Sequence, residues 1–173
     1  MNKAKPRILA IDDVPQNLMM LGAALADAFV IQIATSGAVG LALAAQNPPN
    51  LILLDVMMPE MNGFEVCRRL KADPKLKNIP VVFVTASHDE HSEMAGLALG
   101  AADYITKPVN VRIARQRIHN LLAHDEVLSR LTKIASRVPG VLYEYRQYPN
   151  GNASFPYASD AICAMYGGRV SPA

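Results

Sequence analysis

Short runs of consecutive apolar residues alternate along the chain with stretches whose apolar positions recur every three or four residues. Residues 7–11 (Arg-Ile-Leu-Ala-Ile) form the first run, which ends in Asp12-Asp13. Pro15 and Asn17 then open a helical pattern with Leu18, Leu21 and Leu25 on one face. Residues 29–33 read as a second strand. Ser36 caps a helix running through Ala45, which Asn47-Pro48-Pro49 closes. Leu51 to Leu54 is a third run, leading into Asp55 with Pro59 and Gly63 beyond. A helix follows from Gly63 to Ala72, with Phe64, Val66, Cys67 and Leu70 apolar and Asp73-Pro74 as its stop. Residues 80–84 form a fourth strand ending at Thr85, and Glu90 to Leu99 a helix closed by Gly100. Residues 103–105 form a short fifth strand followed by Lys107-Pro108, and a long helical stretch begins at Asn110.

Runs apolar at every position are buried on both faces, as in a parallel sheet covered by helices. Strand and helix alternate five times within about 120 residues, which predicts an α/β fold with helices on both sides of the sheet. A closed barrel needs roughly eight such units, so an open doubly wound sheet is expected. In the flavodoxin-like order 2-1-3-4-5, strands one and three meet at the crevice where ligands bind.

Polar residues gather at the expected carboxyl ends of the strands. Asp12, Asp13 and Asp55 would share one pocket, and like charges so close require a cation. Mg²⁺ fits, because it takes oxygen ligands and keeps waters and a phosphate oxygen. Lys107 adds a point positive charge and Thr85 a hydroxyl. Together these groups suit phosphoryl transfer, which depends on positioning and charge neutralisation. Each residue alone has a plainer reading. Asp12-Asp13 could cap the next helix, Thr85 could be a β-branched strand residue, Lys107 a solvated lysine and Tyr104 half-buried packing. Gly63 and Gly100 read as helix-boundary glycines, and His88, His91, His119 and His124 as ordinary histidines. It is their joint occurrence, in order, that points to chemistry.

Ile11-Asp12-Asp13, Leu53-Leu54-Asp55-Val56-Met57-Met58-Pro59 with Gly63, Val84-Thr85-Ala86, and residues 100–108 resemble the receiver domain of two-component response regulators. The resemblance covers residues 5–122. It implies that Asp55 is the phosphoacceptor, phosphorylated by a sensor histidine kinase or a phosphotransfer protein. It also implies that Mg²⁺ is held by Asp12, Asp13, Asp55 and the backbone carbonyl of Met57. Lys107 would bridge to the phosphoryl group and Thr85 would turn its hydroxyl to it. Tyr104 would follow inward as a switch, changing the face of the fourth helix and fifth strand. A cis peptide bond would precede Pro108. A Mg²⁺-dependent aspartyl-phosphate phosphatase is an alternative, but that family needs an acid two residues after its nucleophile, where this chain has Met57. A phosphorylation-independent interaction domain is another.

Beyond the receiver-like residues 1–122, the helical pattern continues over 110–137. Leu121, Leu128 and Ala135 repeat at seven, with Leu131 and Val138 interleaved, as in a short coiled-coil seam. Either one helix packs on its own domain or a signalling helix pairs with a second chain. Residues 138–173 read as a β-hairpin, turning at residues 149–152, and a short helix capped by Ser159-Asp160. Residues 139–143 and 157–162 resemble the start of a PAS sensor domain. A whole one runs to roughly 100 residues, so no cofactor is expected here. A homodimer through residues 110–173 is expected, because a lone hairpin is marginal in water. The output, such as a diguanylate cyclase or a histidine kinase, would lie in a longer protein.

Composition narrows the rest. The 173 residues are 51% hydrophobic, enough for a sizeable core. With 17 basic and 15 acidic residues the net charge is +2, which makes no case for a nucleic-acid surface. Cys67 and Cys163 have no metal-ligand spacing and read as reduced thiols of a cytoplasmic protein. No apolar stretch reaches the ~18 residues of a membrane span, and no signal-peptide cleavage site is expected.

Overall fold

The computed structural model describes residues 4–86, 96–135, 143–147 and 153–158. In chain order the elements are β1 (Arg7–Ile11), α1 (Pro15–Leu25), β2 (Val30–Ala34), α2 (Gly37–Gln46), β3 (Leu51–Asp55) and α3 (Gly63–Ala72). Then come β4 (Val81–Thr85), β5 (Asp103–Thr106), α4 (Val111–Ala135), β6 (Tyr143–Gln147) and β7 (Ala153–Ala158). Of the helix expected over residues 90–99, only residues 96–99 fall among the described ones, with helix at 96–98. His88, His91, Cys163, Val138 and the helix expected after Ser159 lie outside them.

Two units divide the chain, at Leu122. In the first, β1 to β5 form a parallel sheet in the order β2-β1-β3-β4-β5, the doubly wound arrangement that the alternating pattern predicts. Each strand of the centre is buried on both faces, so successive residues serve opposite cores. Leu9, Ile11, Ile52, Leu54 and Phe83 face Val66, Cys67 and Leu70 of α3. Ile8, Ala10, Leu51, Leu53, Val82 and Val84 face Leu18, Leu21 and Leu25 of α1 together with Ala114 and Ile118 of α4. Phe29, expected to begin β2, instead precedes it. Its N–H bonds to Leu25 O at 3.0 Å, which closes the turn after α1 and drops the ring into the core.

Helix starts follow local side-chain chemistry. Ser36 Oγ accepts from Val39 N–H at 3.3 Å, and Asn62 Oδ1 from Glu65 N–H at 2.9 Å. Gly100 takes φ +84°, and its N–H closes on Leu97 O. In α4, Leu121 and Leu122 pack, partly buried, against the α1-side core. Leu121, the first position of the heptad pattern, is therefore committed to its own domain.

In the second unit, β6 and β7 pair antiparallel, from Tyr143 opposite Ala158 to Gln147 opposite Ala153. The ladder is irregular between Glu144 and Arg146. No described helix is long and apolar enough to cross a membrane.

Candidate functional site: an acidic pocket at the carboxyl ends of the strands

Register places the strand ends side by side. Ile11 pairs with Leu54, so the residues after β1 and the last residue of β3 are neighbours. Asp12 N–H still reaches Ala34 O at 3.2 Å, extending β1 by one bond before the chain leaves the sheet. Asp12, Asp13 and Asp55 each offer a carboxylate oxygen, and these oxygens lie within 4.8 Å of one another. Asp12 and Asp55 are buried, at 3% and 5% exposure, while Asp13 is half-buried. Met57 N–H lies 3.4 Å from Asp55 Oδ1, and the Met57 side chain is exposed (74%).

Lys107 arrives from the far end of the sheet. Its N–H donates to Thr85 O at 2.7 Å, and the Lys107–Pro108 peptide is cis, as the resemblance implies. Its ammonium then bridges two acids, with Nζ 2.8 Å from Asp12 Oδ2 and 2.9 Å from Asp55 Oδ2. Charge-assisted bonds of this length are among the stronger ones in proteins.

Electrostatics of the pocket are set by burial first. Desolvation pushes the Asp55 carboxyl above the ordinary carboxylate range. The Lys107 bond and charge pull it back, Asp12 pushes it up again, and the net direction is upward. Burial also pulls the Lys107 ammonium down, but its bonds to Asp12 and Asp55 together outweigh that and hold it above the usual lysine value. Lys107 thus bridges two of the three carboxylates, and the excess of negative charge favours a further cation. The donors are all hard oxygens, the set that Mg²⁺ prefers.

The first residue of α3 has a steric requirement. A Cβ on Gly63 would overlap the Asp55 carbonyl, and Gly63 N–H bonds Val56 O at 2.9 Å. The start of α3 therefore lies against the backbone of the acid itself. Glu60, between them, takes φ 63°, with Met61 N–H on Pro59 O at 2.6 Å. That is a γ-turn, held in a conformation L residues seldom adopt.

A family model for the response regulator receiver domain matches residues 8–119. The chain belongs to that family. The match spans β1 through the first part of α4 and takes in the whole acidic pocket. Curated relatives include the response regulator PleD of Caulobacter vibrioides, 42% identical over 72% of this chain and 28% of PleD. Protein PilH of Pseudomonas aeruginosa is 38% identical over 68% of this chain and 98% of its own length. A Vibrio cholerae protein named probable cyclic di-GMP phosphodiesterase is 42% identical, over 66% of this chain and 26% of its own. The chain thus spans little more than a quarter of PleD and of the Vibrio protein. Among solved structures, the Vibrio cholerae chemotaxis protein CheY4 superposes with a TM-score of 0.65 at 28% identity, covering 68% of this chain and 99% of CheY4. A CheY-like receiver domain protein from Methanospirillum hungatei gives 0.67 at 28% identity, over 71% and 98%.

In this receiver, Thr85 is buried at the end of β4, opposite Thr106 of β5. Thr85 and Tyr104 line one small cavity with Val56, Phe83 and Leu97. Tyr104 is half-buried. The Arg117 guanidinium lies 5.9 Å from its ring centroid and donates to Tyr104 O at 3.0 Å and Asp103 Oδ1 at 2.6 Å. Asp12, Asp13, Asp55 and Lys107 therefore share one pocket, while Thr85 and Tyr104 share a cavity with Val56. Two contributors escape a reading of the sequence. Asn17 serves there only as a helix opener, yet its amide contacts both oxygens of Asp12. Arg117 is one basic residue among several on α4. For Asn17 the available signal was its spacing, a little over one helical turn beyond Asp12.

Proposed function

We propose that Asp55 is the phosphoacceptor of a receiver module that takes its phosphoryl group from a sensor histidine kinase or a phosphotransfer protein. An Asp55 carboxylate oxygen attacks phosphorus, an O–P bond forms, the P–N bond to the donor imidazole breaks and the imidazole leaves with its electron pair. Lys107 carries the reading: its ammonium already bridges Asp55 and Asp12 at 2.9 and 2.8 Å. From there it can turn to a phosphoryl oxygen while Asp12 keeps it in place. Asp12, Asp13, Asp55 and the Met57 carbonyl would hold Mg²⁺, which when bound offsets the charge of the acids and of the transferred group. Thr85 would then turn its hydroxyl to the phosphoryl oxygens. Tyr104 would follow into the cavity it shares with Thr85, changing the face that β5 offers to a partner.

Residues 1–122 form the receiver in this reading. Residues 110–137 serve as a signalling helix, and residues 138–173 as the opening of a PAS domain. The helix passes the change to a PAS or output domain of a longer cytoplasmic regulator, and two chains pair through residues 110–173. Enzymatic outputs fit the relatives, whose names include a cyclic di-GMP phosphodiesterase and the Formosa agariphila histidine kinase P4.

Incubation with acetyl phosphate and Mg²⁺, followed by intact-mass spectrometry, tests the central step. The chain gains one phosphoryl group, Asp55→Asn gains none, and chelation of Mg²⁺ abolishes the gain. Labelling of Asp55→Asn elsewhere would overturn the assignment.

A further inference from the structure

Asn17 stands in the first turn of α1, where an asparagine ordinarily serves the helix's own free N–H groups. Here it does not. The residue before the helix is Val14, whose side chain makes no cap, and the Asn17 amide is spent on Asp12. Its Nδ2 lies 3.0 Å from Asp12 Oδ1 and 3.0 Å from Oδ2. Asp12 Oδ1 also accepts from Val14 N–H at 2.8 Å, and Oδ2 from Lys107 Nζ at 2.8 Å. The donors on Asp12 are three groups, the Asn17 amide straddling both oxygens, and an ionised carboxylate offers about four lone-pair sites, which leaves room for a cation. The plane of Asp12 is thus fixed by its own backbone, by the lysine and by the amide together. Without the amide, only Val14 N–H and Lys107 hold the carboxylate, and its plane is less firmly set.

We propose that Asn17 is a positioning residue of the cation site, setting the orientation of Asp12 so that Lys107 and a divalent cation can both be accommodated in the pocket. The proposal rests on the reading of that pocket as a Mg²⁺-dependent phosphoacceptor site. Groups that hold a ligand carboxylate from behind commonly matter about tenfold or more for metal affinity. Asn17→Leu removes the donor at similar size and with better helix propensity. Asn17→Ala removes it without apolar bulk.

Isothermal titration of the full 173-residue chain with MgCl₂ reads the effect directly. Both variants keep the helical circular dichroism of the unsubstituted chain and bind Mg²⁺ about tenfold more weakly. In an Asp12→Ala background, Asn17→Leu weakens binding no further, because its only route to the metal has been removed. A residue that merely stabilised α1 would lower the melting temperature, leave the Mg²⁺ affinity in place and add to Asp12→Ala. Unchanged or tighter binding in both variants, or additivity with Asp12→Ala, overturns the Asn17 role alone. Absence of Mg²⁺ binding by the unsubstituted chain overturns the phosphoacceptor reading and this role with it.

Discussion

Asp55 is held between opposing demands. Burial and the charge of Asp12 favour its neutral form, while Lys107 favours the ionised one, and the net direction of its pKa is upward. For an acid raised in this way, the favourable contribution to folding is fully present below the unfolded-state pKa. It is lost as the pH rises through the higher folded value. Near pH 7, without Mg²⁺, the ionised Asp55 therefore costs stability. Asp55→Asn is expected to raise the melting temperature by a few degrees in chelator at pH 7. That advantage narrows as the pH falls through the carboxylate range, where wild-type Asp55 is itself neutral. Thermal unfolding followed by circular dichroism at pH 7 and near pH 4 checks this. A lower melting temperature for the variant at pH 7 contradicts it. The same physics explains what could be read from the residues in order. A carboxylate that ends a run of buried apolar residues is expensive to place, so Asp12 and Asp55 stand out in the sequence. Asn17 and Arg117 lie on helices among other polar residues. Only the folded chain brings Asn17 to Asp12, or carries Arg117 back to Asp103 and Tyr104.

At the scale of elements, the central strands β1, β3 and β4 were legible because each is short and apolar on both faces, and helices such as α1 and α3 because their buried stripes recur at helical spacing. The connections were not. Nothing in the Met57-Met58-Pro59-Glu60-Met61-Asn62 string indicates that Glu60 takes a positive φ, or that α3 begins in contact with the Asp55 backbone. In the sequence Gly63 passes for an ordinary helix-boundary glycine, but a side chain there has no room. The Cβ would meet backbone, the Asp55 carbonyl and Val56 Cα, rather than a side chain that can swing away. Gly63→Ala is therefore expected to cost about 1–3 kcal/mol, the range for forcing atoms into a packed site. It is also expected to weaken Mg²⁺ binding, because relief of the clash moves the Asp55 backbone. Urea unfolding and a Mg²⁺ titration measure the two effects. Wild-type behaviour in both would show that α3 can retreat without disturbing the acid. At Gly22 a Cβ would meet nothing within 4 Å, so Gly22→Ala on the same protein serves as the control and should be neutral or stabilising.

At the scale of the whole chain, every residue of both core clusters falls between Ile8 and Leu122. That span holds the apolar residues of the central strands in two cores, one on each face of the sheet. A version ending at residue 126, which keeps Leu121 and Leu122 with one more turn of α4, should unfold in one transition and keep the Mg²⁺ affinity of the full chain. The two-stranded sheet of β6 and β7 is in a different position, because a lone hairpin gains too little burial to be stable by itself in water. A second copy supplying the missing contacts is the arrangement proposed for residues 110–173. Sedimentation velocity at micromolar concentration separates the cases. The full chain should sediment as a dimer and the shortened one as a monomer, with the difference unaffected by Mg²⁺. A monomeric full chain would show that the hairpin draws its stability from within one chain and would remove the dimer from the proposed route of signalling. Equal dimerisation of both versions would move the contact onto the receiver itself.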